Sequence, residues 1–220
     1  MKLLSATPSP FARKVRIALH EKAIPFELIT EVPWNRDASA PQYNPLGKIP
    51  VLILDNGDTV YDSGHILEYL ELKYPESPLL PRDADGILAA KRLEVLADGA
   101  CDAIVLTFIE RQKPQDQQSA PWLARQRAKI EGAVAEVARL VRPEWAYANG
   151  ASFGHGDIAV GCLLGYLDVR LAELAWRKHA HLETLFNRLS ERASFKQTVP
   201  IAQTLADQVA RCDFTRQRDE

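Results

Sequence analysis

Three short stretches in the first third of this 220-residue chain carry residue types whose spacing could do chemistry. In the first, Ser5, Thr7 and Ser9 crowd hydroxyls ahead of Pro10, which sits where a helix would begin. Proline at a first helical position makes Ser9 a good N-cap, with its oxygen among the unpaired N–H groups of the first turn. A bare cap is the ordinary use of such a serine. A hydroxyl beside a positive helix end also stabilises an anion brought to that spot, such as a thiolate. No His or Asp lies nearby in sequence to make Ser9 a nucleophile, so its role would be that of a donor.

The second stretch is Asn44-Pro45-Leu46-Gly47-Lys48-Ile49-Pro50-Val51. A proline leading into a buried strand is unusual, because it lacks a ladder donor. X-Pro bonds are where cis peptides occur, and a cis Ile49–Pro50 bond would turn the N–H and C=O of Ile49 outward, ready for an extended peptide ligand. A trans proline at a strand start is the plain alternative. The third stretch is Asp62-Ser63-Gly64, placed between a strand and a helix. Either side chain would serve as a cap. A helix N-terminus with a hydroxyl also binds carboxylate, and an acidic side chain beside it binds ammonium. An α-amino acid head group needs both at once.

The elements around these stretches follow from periodicity. Lys2 to Ala6 reads as a strand, and Phe11, Val15, Ala18 and Leu19 recur at helical spacing. Phe26 to Ile29 reads as a second strand, and Val51 to Leu54 as a buried third. Asn56-Gly57 is a hairpin signal, with Thr59 to Tyr61 as the returning strand, before a helix marked by Ile66, Leu67, Leu70 and Tyr74. The order predicts a small mixed sheet with helices. Pro75, Pro78 and Pro81 then break the pattern. Beyond them only helical stripes occur: Leu93, Leu96, Ala100, Ile104 and Phe108; Ile130, Val134, Val137 and Val141, behind Ser119 and Pro121; an apolar helix over 157–173; and Leu182, Leu185, Phe186 and Leu189. The reading is an α/β domain over 1–78, a linker over 79–86, an all-α bundle over 87–208 and a polar tail over 209–220. At the start of the apolar helix, Gly154 stands where a Ser or Thr would complete a capping box with Asp157, and His155 is expected to be exposed, without a role.

Composition narrows the function classes. With 27 basic and 29 acidic residues the net charge is −2, which argues against nucleic acid or a polybasic membrane surface as partner. Cys101, Cys162 and Cys212 are scattered, so neither a disulfide framework nor a metal site is expected, and a reducing, cytoplasmic setting is. No signal-peptide core follows Met1, and the apolar run Ile158–Leu167 is half of the roughly 20 residues a membrane span needs.

In this order, Ser-Pro-Phe after a βα start, Asn-Pro-Leu-Gly-Lys-Ile-Pro-Val-Leu, Asp-Ser and then an all-helical half, the chain resembles the cytosolic glutathione transferase family from Met1 to about Ala206. It looks most like the serine-type bacterial members and the plant tau class. The resemblance implies a thioredoxin-like N-terminal domain that binds glutathione as co-substrate, no metal, a helical domain lining the pocket of a small electrophile, and a homodimer. It implies that Ser9 hydrogen-bonds the glutathione sulfur, with Ser5 and Thr7 as alternatives. Ile49, before Pro50, would pair with the cysteinyl moiety, and Asp62 and Ser63 would grip the γ-glutamyl end. Arg36, with Lys48 behind it, would face the glycine carboxylate, and Phe11, Trp34, Thr107 and Trp122 would lie near the second substrate. No cysteine stands at the first strand-to-helix turn, which disfavours an enzyme-cysteine mechanism. Disulfide reduction through glutathione's own sulfur, and a non-catalytic interaction protein of the same fold, are the alternatives.

Overall fold

The computed structural model describes residues 1–35 and 38–203; Arg36 and the expected tail over 209–220 lie outside the described residues. The N-terminal part runs β1 (Lys2–Ser5), α1 (Pro10–Glu21), β2 (Glu27–Thr30), α2 (Ala40–Tyr43), β3 (Val51–Ile53), β4 (Thr59–Tyr61) and α3 (Ser63–Lys73). The helical part runs α4 (Ala84–Glu110), α5 (Ala120–Leu140), α6 (His155–Arg170), α7 (Ala180–Ser190) and α8 (Ala193–Lys196). This is a thioredoxin-like arrangement followed by an all-α domain. Among the described residues no helix is long and apolar enough to cross a membrane.

The sheet order is β2-β1-β3-β4. The β1–β2 pair is parallel, with α1 as its crossover, and the two remaining pairs are antiparallel. Register decides which loops meet. Ser5 pairs with Thr30, Leu4 with Val51, and Val51 with Tyr61. The exits of β1, β2 and β4 and the entrance of β3 therefore share one end of the sheet. With neighbouring strands about 4.8 Å apart, the loops after β1 and β4 leave the sheet about 10 Å from each other, with the loop into β3 between them.

Alternation along the strands divides the core. Leu3 and Leu52 face α1, α3 and the bundle in one apolar cluster that includes Val15, Leu67, Leu93, Ile104, Ile158 and Leu163. Leu4 and Val51 face the other way, where Ala40 of α2 covers them. The periodicity does not reveal α2, a single turn, because it is held by a side chain from elsewhere: the Glu31 carboxylate accepts from Ser39 N (2.8 Å), Ser39 Oγ (2.8 Å) and Ala40 N (3.1 Å). In the bundle, α6 is buried from His155 through Leu167, as its all-round apolarity requires.

Helix α4 begins at Ala84, inside the stretch read as linker, because the Asp83 carboxylate caps it through Gly86 N at 2.7 Å. At the start of α6, Gly154 N donates to Asp157 Oδ2 (3.0 Å) while Asp157 Oδ1 accepts from Ala148 N (2.7 Å), so half of a capping box survives. The glycine has a packing reason: a Cβ there would collide with the Leu79 carbonyl oxygen, which accepts from His155 N at 2.9 Å. His155 itself corrects the sequence expectation. It is fully buried, with Nε2 at 3.5 Å from Glu71 Oε1, because α6 is threaded beneath the linker rather than preceded by a free loop.

Candidate functional site

Ser9 is the N-cap of α1, with Oγ accepting from Ala12 N at 3.2 Å and its own N–H donating to the Ala6 carbonyl at 3.1 Å. The residue is partly exposed, as is Thr7, whereas Ser5 is 1% exposed at the end of β1. Of the three hydroxyls, Ser9 alone combines an open face with a helix N-terminus. That end carries partial positive charge from N–H groups without intrahelical partners.

The loop into β3 is built by Asn44, which is 2% exposed. Its Nδ2 donates to the Lys48 carbonyl (2.8 Å), its Oδ1 accepts from Leu46 N (2.9 Å) and its carbonyl accepts from Gly47 N (2.8 Å). Gly47 sits at φ 61, a left-handed turn position that favours glycine. The Ile49–Pro50 bond is cis. Among the described residues neither the N–H nor the C=O of Ile49 has a hydrogen-bond partner, and Lys48 is exposed beside it.

Asp62 caps α3, its Oδ1 accepting from Gly64 N (2.8 Å) and His65 N (3.4 Å), and holds a positive φ of 70, unusual for a non-glycine residue. Ser63 is buried as the first residue of that helix. Two acids on α4 that no motif marks, Asp98 and Asp102, stand within electrostatic reach. Burial raises the Asp98 carboxyl above its ordinary range, and the Asp62 charge adds to this against the pull of Lys14. Burial likewise raises Asp102, with Lys48 pulling it down and Asp62 pushing it up. The α3 end of the site is thus an acidic corner. Beneath it, the 1%-exposed Lys14 ammonium is held between Glu94 Oε1 (2.9 Å) and Asp98 Oδ2 (2.6 Å), tying α1 to α4. No periodicity could have assigned that corner, because it depends on which face of α4 meets α3.

The residues expected around a second substrate are dispersed. Trp34, after β2, stacks on Phe108 of α4, with centroids 5.8 Å apart and planes 29° apart. Phe11 is partly buried against the main core. Thr107 is 5% exposed and its Oγ1 donates to the Ala103 carbonyl at 2.8 Å, so that hydroxyl is turned into its own helix. Trp122 lies in the first turn of α5, 40% exposed. Phe108 belongs to an apolar stripe that reads as core, yet it is only partly buried, and the Arg170 guanidinium lies over its ring at 3.9 Å.

One end of the sheet therefore gathers two helix N-termini, an unpaired backbone segment between them and a corner of carboxylates. A short extended peptide with an anionic sulfur in its middle and an α-amino acid group at one end has matching chemistry.

Comparison with known proteins follows the same lines. Residues 8–73 match the family model for the glutathione S-transferase N-terminal domain, and residues 120–189 match that for the glutathione S-transferase C-terminal domain. The chain is 38% identical over 201 residues to the uncharacterized GST-like protein YibF of Escherichia coli K12, covering 91% of this chain and 98% of that one. It is 58% identical to a glutathione S-transferase of Methylobacterium radiotolerans solved in complex with glutathione sulfonate, with a TM-score of 0.92 over 94% of this chain and 97% of that one. A glutathione S-transferase of Methylobacillus flagellatus, solved with glutathione bound, is 38% identical with a TM-score of 0.86, covering 91% of this chain and 99% of that one.

Proposed function

The chain belongs to the glutathione S-transferase family, and we propose that it binds glutathione at this end of the sheet and activates its thiol with Ser9, in the manner of the serine-type bacterial and tau-class members. The observation that carries the proposal is the convergence of the loops after β1, before β3 and after β4, which the register forces. In this reading Ile49 pairs its backbone with the cysteinyl residue. Ser63 and the α3 N-terminus receive the γ-glutamyl carboxylate, and Asp62 its ammonium. Lys48, with Arg36, faces the glycine carboxylate.

The energetics are within reach of these groups. Lowering a thiol from about 8.5 to about 6.5 takes roughly 2.7 kcal/mol of preferential anion stabilisation. One charge-assisted hydrogen bond together with a helix terminus supplies about that much. The bound thiolate then attacks an electrophilic carbon: the S–C bond forms as the leaving group departs with its electron pair. Of the residues expected around that electrophile, Trp34, stacked on Phe108 just after β2, borders its approach in this reading.

Two wider features belong to the same reading. The boundary between the glutathione-binding and helical domains lies in residues 79–86, and the chain acts as a homodimer in a reducing, cytoplasmic setting. Support for the dimer comes from Leu72 of α3 (81% exposed) and Leu88 and Val95 of α4 (66% and 71%), an apolar set crossed by the Lys91–Glu68 ion pair at 2.9 Å. Titration calorimetry with reduced glutathione tests the core of the proposal. Saturable binding is expected, and no heat of binding at millimolar glutathione would overturn it.

A further inference from the structure

Arg170, in the last turn of α6, has no carboxylate within ion-pair distance among the described residues. Its surroundings are not short of acids. Asp168 is taken by Arg177 at 2.7 Å, Glu173 by Arg111 at 3.3 Å, and Glu110 by Lys113 at 2.8 Å. The Arg170 guanidinium lies instead over the faces of Phe108 (3.9 Å) and Tyr166 (6.0 Å), and its Nε is buried without an acceptor. Burial pushes the Tyr166 phenol up to about 12, so no phenolate serves as counter-ion. Stacking uses the face of a guanidinium; its edge also meets the Tyr166 hydroxyl, and the N–H groups left over are of the kind that receive a carboxylate.

The position of this edge gives it meaning. Trp34 follows Thr30, the last residue of β2, whose partner Ser5 leads into the Ser9 turn. Trp34 stacks on Phe108, and Phe108 carries Arg170. An aromatic surface thus runs from the glutathione end of the sheet to an arginine that has no carboxylate partner among the described residues. We propose that Arg170 is a specificity residue for the second substrate, selecting a planar, ring-bearing electrophile with a carboxylate. The aromatic faces hold the ring, the guanidinium edge holds the carboxylate, and the electrophilic carbon is left toward the sulfur. The proposal rests on glutathione binding as described above.

The test uses a matched pair, 4-chloro-3,5-dinitrobenzoate and its methyl ester. In both, the glutathione thiolate forms a C–S bond at the carbon bearing chlorine and chloride leaves with the bonding pair. The wild type is expected to favour the carboxylate in kcat/KM. Arg170→Gln should lower the carboxylate-to-ester ratio at least tenfold, mainly through KM, and Arg170→Lys should recover part of it. Glutathione affinity, measured separately by calorimetry, distinguishes a failure of the glutathione site from a failure of Arg170 alone. Intact glutathione binding with no wild-type preference, or with a ratio that Arg170→Gln leaves unchanged, would overturn the role of Arg170 alone, leaving it a stacking residue at the end of α6. Absence of glutathione binding in the wild type would overturn the site itself and this proposal with it.

Discussion

A serine at a helix N-cap has two uses that a single substitution confounds. Ser9 Oγ accepts from Ala12 N at 3.2 Å, so its loss removes a cap as well as a donor to any bound anion. Ser9→Ala should cost about 1 kcal/mol of stability, whereas Ser9→Gly should cost only a few tenths, because glycine is a tolerable cap. Both should return the bound thiol toward about 8.5 and lower conjugation at neutral pH by about tenfold or more. Urea denaturation beside steady-state rates separates the two effects, and a fully active Ser9→Gly would mean that the hydroxyl is not the donor. At this scale the sequence speaks where the chemistry is local. Ser9 before Pro10, Ile49 before Pro50 and Asp62 before Ser63 each announce a cap or a turn. Phe108, Asp102 and Arg170 do not, since what each one touches depends on which helix face meets which loop.

Elements repeat the distinction. Helices α1, α5 and α6 follow from apolar spacing and capping residues, and the β3–β4 hairpin from Asn56-Gly57. Helix α2 does not, because its start is capped by Glu31, nine residues before Ala40. The place of Gly154 is equally silent in sequence, where it reads as a weakened capping box. In the fold it is the only residue type that lets α6 begin against the Leu79 carbonyl. Gly154→Ala should therefore destabilise by about 1–3 kcal/mol, the clash adding to alanine's poor fit at an N-cap. Thermal unfolding of this variant checks it, and an unchanged midpoint would show that linker and helix can part at no cost.

For the whole molecule, the joint between the two halves is ionic as well as apolar. Glu71 of α3 accepts from Leu79 N at 3.2 Å, pairs with the buried Lys22 at 2.8 Å and faces His155 of α6. Burial alone would raise its carboxyl, but the hydrogen bonds and charges of His155 and Lys22 outweigh that and hold it at about 2. A carboxyl depressed in the folded state is protonated first in the unfolded chain. Its stabilisation is therefore complete above about 4.5 and is lost as pH falls toward 2. Glu71→Gln, which leaves the buried Lys22 with the Tyr74 and Ser77 carbonyls but without its counter-charge, should cost about 2–3 kcal/mol near neutrality, and the gap to wild type should close through that acid window. A gap independent of pH would show that packing, not charge, makes the joint. On the outer face, Val95→Glu should turn a dimer into a monomer in sedimentation, and an unchanged mass would place any association elsewhere. The convergence of the three loops is also a property at this scale: each loop is legible alone, but only the register from Leu4 to Val51 to Tyr61 brings them together. The most direct measurement of what that convergence does is the ultraviolet thiolate absorbance of glutathione bound to the wild type, followed across pH beside Ser9→Gly. The bound thiol should titrate about two units below free glutathione, and Ser9→Gly should bring it most of the way back. A bound thiol that titrates as it does in free solution would contradict the account.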